Sequence, residues 1–318
     1  PGHPLSARRA WPMSAVIAAS ELSFAYGDTP VLQDIQLEVA KGEIVGLVGA
    51  DGAGKSTLLK LMVGQLIPSG GSLQVLQRAP TDPGLRSDLA YMPQGFGLYM
   101  DLSIQENLEF FADLHGMAPQ QSASKIHDLL TRTGLKGFEA RRAGQLSGGM
   151  MQKLALACAL VTEPRVMFLD EPTTGVDPVS RRAFWRLLEQ VRSEGVSILY
   201  ATANMDEAER CDRVAMLDQG RLTRQGTPLE LVAAGEQALV AVMGESVREY
   251  REALRKLEET LFVFPVGARL NVWLAAGVSL DAFRTILSEQ FPALQAQPLV
   301  PTLQDAAVRD LVLDKESG

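Results

Sequence analysis

Short apolar runs alternate with segments of helical hydrophobic spacing along most of the chain. The apolar runs predict strands at Val16–Phe24, Ile35–Val39, Ile44–Val48, Arg165–Leu169 and Ser197–Ala201, and a hairpin of Arg213–Leu217 with Arg221–Gln225. Apolar residues three and four positions apart predict helices at Ser56–Gly64, Ser103–His115, Ala123–Thr133, Gly148–Val161, Val179–Gly195 and Met205–Cys211. Strands that alternate with helices favour an α/β fold.

The pattern changes near residue 235. Strands are predicted at Ala238–Met243, Leu261–Pro265, Ala268–Ala275 and Ala296–Val300, with helices at Val247–Glu259, Leu280–Phe291 and Thr302–Leu313. This β-α-β-β-α-β order matches a small split-βαβ domain. We therefore predict a non-globular tail at residues 1–13, a large domain at residues 14–234 and a small α+β domain at residues 235–318. Residues 1–12 precede Met13 and are interpreted as vector sequence or a mis-annotated leader.

Composition narrows the function classes. The formal net charge is −8, which gives no support for binding to nucleic acid. The two cysteines, Cys158 and Cys211, are far apart, which argues against a disulfide framework or a zinc site. The longest apolar run, Leu154–Val161, is far shorter than the roughly 18–20 residues that span a bilayer.

The clearest chemical motif is a glycine-rich loop between a predicted strand and a predicted helix. Its sequence, Gly-Ala-Asp-Gly-Ala-Gly-Lys-Ser, fills every fixed position of the phosphate-binding pattern G-x-x-x-x-G-K-[ST]. The backbone amides and the helix N-terminus would bind phosphates, the lysine would bridge the β- and γ-phosphates of ATP, and the serine would ligate Mg²⁺. The candidate nucleotide-binding residues here are Gly49, Ala50, Asp51, Gly52, Ala53, Gly54, Lys55, Ser56 and Thr57.

A second motif is the apolar strand that ends in two adjacent acids, Asp170 and Glu171. The carboxyl end of such a strand is where α/β sheets bind ligands. Asp170 is therefore the candidate anchor for Mg²⁺, and Glu171 the candidate general base that polarises the attacking water.

Further motifs stand in a fixed order around these two. Leu-Ser-Gly-Gly at residues 146–149, followed by Gln152 and Lys153, closely resembles the signature motif of the ATP-binding-cassette (ABC) ATPases. Tyr26, Gln94 and the run Gly-Val-Asp-Pro that contains Asp177 also stand in the order of that family. The resemblance covers about Glu21 to Leu231. It implies a RecA-like core with an antiparallel β subdomain and a helical subdomain.

The resemblance also implies roles for these residues. ATP would be shared across a head-to-tail dimer with a second copy or a related ATPase subunit. Tyr26 would stack on adenine, and Gln94 would contact Mg²⁺, take part in catalysis with Lys55 and Glu171, and relay the state of the site to membrane subunits. Ser147, Gly148 and Gly149 of one protomer would cap the γ-phosphate held by the other, since they open a helix with a positive N-terminal end.

The chain departs from the family pattern at two positions. In the run Ala-Thr-Ala-Asn-Met-Asp-Glu-Ala, Ala203 occupies the place where the family usually has a histidine. Either hydrolysis is slow because the contact to the γ-phosphate is missing, or Asn204 or another polar group takes over. Asp51 stands where asparagine is commoner, and we expect its carboxylate to point away from the phosphates and to cap a turn.

The type of ABC protein follows from what accompanies the cassette. Residues 57–145, between the phosphate loop and the signature, contain no heptad run of the kind found in chromosome-maintenance relatives. A cassette followed by a small domain resembles the ATPases of multidrug exporters with separate permeases, and Pro301–Asp305 resembles a run near the end of those proteins. We expect a cytoplasmic subunit held on the inner face of the cell membrane by its permease. The alternative is a ribosome-associated ABC ATPase without a permease.

Overall fold

The computed structural model describes residues 15–233 and 237–316. The strands are β1 Ala15–Tyr26, β2 Thr29–Ala40, β3 Ile44–Val48, β4 Gly70–Val75, β5 Leu89–Met92, β6 Val166–Asp170, β7 Ser197–Thr202, β8 Arg213–Asp218, β9 Arg221–Gly226, β10 Leu239–Gly244, β11 Thr260–Val266, β12 Arg269–Leu274 and β13 Leu294–Pro298. The α-helices are α1 Lys55–Met62, α2 Ile104–Leu114, α3 Pro119–Thr133, α4 Gly148–Leu160, α5 Pro178–Ser193, α6 Met205–Ala208, α7 Pro228–Ala233, α8 Arg251–Arg255, α9 Leu280–Gln290 and α10 Leu303–Glu316. The chain divides between Gln225 and Gly226 into two compact units.

The main sheet of the first unit has the strand order β5-β6-β7-β3-β8-β9. Its neighbours from β5 to β8 run parallel. Strands β3, β6 and β7 are buried at every residue, as expected for parallel strands covered on both faces. Their carboxyl ends lie at one edge of the sheet, so the loops after Val48, Asp170 and Thr202 are neighbours.

A smaller antiparallel sheet with the order β2-β1-β4 packs with the main sheet in one core. Helix α1 carries Leu58, Leu59 and Leu61 into this core, where apolar residues of β1, β2, β3 and β6 also meet. Helix α1 is thus held by hydrophobic packing over most of its length. This packing fixes the position of its N-terminus, where the glycine-rich loop ends.

The second unit contains an antiparallel sheet with the order β11-β12-β10-β13. A core of β10, β12, α8 and α9 residues covers it, including Val240, Leu254, Phe283 and Leu287. Helix α10 packs against α7, and the buried Arg309 donates to the carbonyl of Val232 at 3.2 Å. The predicted β-α-β-β-α-β order is confirmed for this unit.

The α/β fold class is confirmed, and several details differ from the predictions. Strands β4 and β5 and helix α7 were not predicted. The helix predicted at Val247–Glu259 is wrong: a 3₁₀ turn at Val247–Tyr250 leads into α8, which ends at Arg255. The chain enters this segment from Ser246 in a left-handed conformation, with φ at 50°, and its first turn is wound as 3₁₀, while Val247 and Leu254 still pack in the core as the predicted apolar face requires.

Two predictions fall where no placement is described. The tail at residues 1–13 lies outside the described residues, and so does the predicted domain boundary after residue 234. Within residues 15–233 and 237–316, no helix combines the length and the apolar character needed to cross a membrane.

Candidate active site

The loop from Gly49 to Gly54 joins buried β3 to α1 and depends on its glycines. Gly52 and Gly54 have φ of 80° and 109°, values that glycine adopts freely and other residues rarely do. A Cβ on Gly49 would lie 2.3 Å from the carbonyl oxygen of Leu217. The backbone path therefore requires glycine at both fixed glycine positions of the motif, Gly49 and Gly54, and favours it at the variable position Gly52.

Lys55 begins α1 and is buried, so its ammonium group needs partners. Its Nζ donates to the carbonyl oxygens of Gly49 at 2.8 Å and Ala50 at 3.1 Å. The same Nζ lies 3.0 Å from Oε1 of Glu171. The Asp51 carboxylate is 3.9 Å from Nζ, and its side chain is 93% exposed. The cation is thus held at the mouth of the loop, while Asp51 faces solvent.

Asp170 ends β6 and is buried beside the loop. Its Oδ2 accepts a hydrogen bond from the Tyr91 hydroxyl at 3.4 Å, whereas its Oδ1 is buried without a hydrogen-bond partner among the described residues. Burial raises the pKa of Asp170 above its ordinary value and the neighbouring Glu171 adds to this, while the Ser56 and Tyr91 hydroxyls and Lys55 oppose it. A buried carboxylate oxygen without a partner, close to a hydroxyl, is a ligand set that suits a hard cation such as Mg²⁺.

Glu171 follows Asp170 in a left-handed conformation, with φ at 48°, and its amide donates to the carbonyl of Ala201 at 2.9 Å. Besides Lys55, the carboxylate accepts hydrogen bonds from Gln94 Nε2 at 3.4 Å and Thr174 Oγ1 at 3.3 Å. Its side chain is only 12% exposed. The carboxylate is therefore oriented from three directions rather than free to rotate in solvent.

The structure brings together Lys55, Gln94, Asp170 and Glu171, all of which were predicted from sequence. Comparison with known proteins identifies the family of this chain. Residues 32–174 match the family model described as ABC transporter. The "Probable multidrug ABC transporter ATP-binding protein YbhF" of Escherichia coli K12 is 38% identical over 292 residues, which cover 91% of this chain and 50% of that protein. The chain thus spans about half the length of that relative.

A second relative matches over most of its length. The Nod factor export ATP-binding protein I of Cupriavidus metallidurans is 35% identical over 254 residues, which cover 78% of this chain and 83% of that protein. The chain belongs to the ABC transporter ATP-binding proteins.

Solved structures of ABC ATPases agree with this assignment. The cbiO1 protein of Clostridium perfringens, described as part of the ABC transporter complex cbiONQ, superimposes with a TM-score of 0.64 at 28% identity. The match covers 76% of this chain and 97% of cbiO1. The cassette fold predicted from the motifs is thereby confirmed.

The signature residues of this ABC ATPase lie at the start of α4. Ser147 caps the helix by accepting a hydrogen bond from the Met150 amide at 3.4 Å. Gly149 is buried against α5, where a Cβ would lie 2.3 Å from Ser180 Oγ. Asp177 caps α5 by accepting from the amides of Val179 and Ser180 at 3.0 and 2.9 Å.

Not every predicted residue of this ABC ATPase joins the cluster around Lys55. Among the described residues, no hydrogen bond or ion pair connects Ser147, Gly148 or Gly149 to Lys55, Asp170 or Glu171. Tyr26 is 50% exposed at the end of β1, and its ring packs edge-to-face on Phe24 with centroids 4.8 Å apart. The Tyr26 side chain is thus accessible to a ligand.

Ala203 follows β7 and is exposed. The neighbouring Asn204 uses its side-chain oxygen to cap α6, where it accepts from the Asp206 amide at 3.0 Å. Its backbone amide donates to Thr202 Oγ1 at 3.0 Å. The side chain of Asn204 therefore already has a local structural role.

Sequence reasoning missed two residues of the ATPase site. Thr174 contacts Glu171 directly, and Glu207 lies 2% exposed among hydroxyl groups from β7 and the loop after Glu171. A polar residue two or three positions after the acidic pair offered a weak signal for Thr174. Glu207 stands in the run that was compared with the family pattern, but that run does not indicate a role for it, because its contact with Thr173 arises only from the pairing of β6 with β7.

Proposed function

We propose that this chain is the ATP-binding and ATP-hydrolysing subunit of an exporter whose membrane-spanning permease is formed by other chains. The observation that carries the proposal is the contact of Lys55 with Glu171 at 3.0 Å, at the edge where β3 and β6 end. A phosphate-binding lysine and a candidate base meet there beside a buried carboxylate. Relatives named for multidrug transport and for Nod factor export support the direction of transport.

Hydrolysis would use these residues in separate roles. The amides of residues 49–57 would bind the phosphates, and Lys55 would exchange its loop carbonyls for phosphate oxygens. Glu171 would accept a proton from a water whose oxygen attacks the γ-phosphorus, and the bond from that phosphorus to the ADP oxygen would break. The contacts from Gln94 and Thr174 support this role because they orient the carboxylate before the reaction.

The residues present fit a magnesium ion. The unpartnered Oδ1 of Asp170 and the neighbouring Ser56 hydroxyl would hold it, with Gln94 as a further ligand. When bound, Mg²⁺ neutralises charge on the β- and γ-phosphate oxygens. The same Oδ1 supports the assignment, because a buried carboxylate oxygen without a partner is unfavourable unless a cation or water completes it.

ATP would be shared in a head-to-tail dimer with a second copy or a related subunit. The N-terminus of α4 supports this, because Ser147 is exposed and an anion can bind where helical amides are unpaired. Ser147, Gly148 and Gly149 would cap the γ-phosphate held by the partner. Tyr26, whose side chain is accessible, would stack on adenine.

Ala203 would leave ATP binding intact and slow hydrolysis, since alanine gives no hydrogen bond to the γ-phosphate. The capping role of Asn204 favours this slow-hydrolysis hypothesis over replacement by Asn204. The subunit would lie in the cytoplasm on the inner face of the membrane. ATP would close the dimer, and reopening would move the permeases through the Gln94–Tyr99 segment.

Purification of the tagged chain from detergent-solubilised membranes of its source cells tests this proposal. We expect a polytopic membrane protein to co-purify and to raise the ATPase rate of the chain, with the variant E171Q as the inactive control. Recovery of the chain free of membrane protein, with full activity that ribosomes stimulate, would replace the exporter assignment by the ribosome-associated alternative.

A further inference from the structure

Glu207 is a buried acid that the proposed reaction does not use. It lies on α6, and its side chain is 3% exposed. Its Oε2 accepts hydrogen bonds from the hydroxyls of Tyr200 at 3.0 Å and Thr202 at 2.8 Å. Its Oε1 accepts from the Thr173 hydroxyl and lies 3.5 Å from Nε of Arg181. Three hydroxyl groups thus donate to the carboxylate, and Arg181 adds an ion-pair contact, although its Nε makes no hydrogen bond among the described residues.

These partners come from the two loops that flank the catalytic edge. Thr173 stands two residues after Glu171, next to Thr174, whose hydroxyl contacts the Glu171 carboxylate. Thr202 stands directly before Ala203 and also accepts the amide of Asn204 at 3.0 Å. Glu207 therefore ties the loop that carries Glu171 to the strand end that carries Ala203.

A third connection reaches the loop that precedes α5. Arg181, the ion-pair partner of Glu207, donates through Nη2 to the carbonyl of Val176 at 3.3 Å. The Val176 amide in turn donates to the carbonyl of Thr173 at 3.1 Å. The loop from Glu171 to Asp177 is thus fixed at both ends by contacts that lead to one carboxylate.

We propose that Glu207 is a positioning residue for ATP hydrolysis, which holds the Glu171 loop in register with the end of β7 through Thr173, Thr202 and Arg181. The proposal rests on the assignment of Glu171 as the base. A buried charge is an unfavourable way to stabilise a fold, because apolar residues of similar volume are often as good or better. A buried carboxylate that accepts three hydroxyl hydrogen bonds instead favours one geometry of the groups around it, and reaction rates respond to small displacements of the base.

Single-turnover hydrolysis with the purified chain in excess over ATP tests this role, together with Kd values from titration with the fluorescent analogue trinitrophenyl-ATP. The variants are E207Q, T173V, T173S and E171Q. The matched control is E43Q: the Glu43 side chain is also largely buried and paired with an arginine, Arg213 at 3.4 Å, and it accepts a hydrogen bond from the Ala40 amide at 2.8 Å. It precedes β3, at the edge opposite to the glycine-rich loop.

We expect E207Q and T173V to lower the hydrolysis rate by about 10- to 100-fold, with Kd within about threefold of the parent. T173S keeps the hydroxyl and should retain the parent rate, and E43Q should as well. A parent-like rate in E207Q beside an inactive E171Q would overturn the positioning role alone. If E207Q and T173V lose rate and the Kd for the nucleotide rises by the same factor, and if T173S loses rate as well, the positioning role is also overturned. A parent-like rate in E171Q would instead overturn the assignment of the base.

Discussion

The contact of Gly149 with α5 gives the sharpest stability prediction. Gly149 is the second residue of α4 and is buried. A Cβ at this position would lie 2.3 Å from Ser180 Oγ and 2.5 Å from Ser180 Cβ. Ordinary contact begins at 3.4 Å, so Gly149→Ala must move the two helix termini apart by roughly 1 Å in a close-packed region.

Gly148 supplies the matched control, because it precedes Gly149 in the same helical turn. The nearest atom to a Cβ at Gly148 is the carbonyl oxygen of Gly175 at 3.8 Å, which is ordinary contact. Replacing glycine by alanine in a helix gains about 0.5–1 kcal/mol, so Gly148→Ala should leave the free energy of unfolding unchanged or raise it. Overpacking of the kind expected at Gly149 costs about 1–3 kcal/mol, so Gly149→Ala should lower it.

Urea unfolding followed by tryptophan fluorescence measures the difference in a background in which Trp11 and Trp273 are replaced by phenylalanine, so that the signal comes from the buried Trp185, which lies on α5 with Ser180. The variant Ser180→Gly removes both clashing atoms. In that background Gly149→Ala should cost less than it does in the parent, and the difference is the coupling energy of a double-mutant cycle. Equal midpoints for Gly148→Ala and Gly149→Ala, or a coupling energy of zero, would refute the reasoning.

Three further predictions concern the nucleotide site. Ala203→His should raise kcat while the Kd for ATP changes little. Identical kcat values in the variant and the parent would count against slow hydrolysis caused by the missing histidine. Tyr26→Ala should weaken ATP binding by about 5- to 10-fold through loss of stacking, whereas Tyr26→Phe should bind like the parent. Calorimetric titration measures the Kd of each variant, and a parent-like Kd for Tyr26→Ala would show that the ring does not contact adenine. Burial raises the pKa of Asp170 in the folded chain above its ordinary value. The ionised carboxylate therefore lowers the free energy of unfolding at neutral pH, and this loss disappears as the pH falls and the carboxyl is protonated. Asp170→Asn should therefore raise the urea midpoint at neutral pH and give no gain in acid, and a lower midpoint at neutral pH would contradict this account.

The sequence predicted those parts of the fold that local chemistry determines. The glycine-rich loop was evident because its path favours glycine at Gly52 and Gly54, whatever surrounds it. The buried strands β3 and β6 were evident because their residues are apolar throughout. In contrast, β4 begins with two glycines, and its first three residues are partly or fully exposed. Strand β5 has only four residues. Such strands are specified by their neighbours rather than by their own hydrophobic pattern.

The active site shows the same division. Lys55, Asp170 and Glu171 stand in motifs that predict their roles in phosphate binding, metal binding and proton transfer, and the structure brings them together. Glu207 lies 34 positions from Thr173 along the chain, and their contact exists only because β7 pairs with β6. Charged residues are seldom buried, and nothing in the run around Glu207 indicates that its side chain is internal. Only the assembled sheet reveals that this one is internal.

The contacts of Glu171 also indicate which step Ala203 affects. The carboxylate is oriented by Lys55 from α1, by Gln94 from the loop after β5 and by Thr174 from its own loop. None of these contacts comes from position 203, so the base does not need a side chain there to hold its orientation. What a histidine at this position would add is a hydrogen bond to charge that develops on the γ-phosphate, and such a bond acts mainly in the transition state. Substitution of Ala203 by histidine should therefore raise kcat and leave the Kd for ATP nearly unchanged, and a change in Kd without a change in kcat would contradict this account.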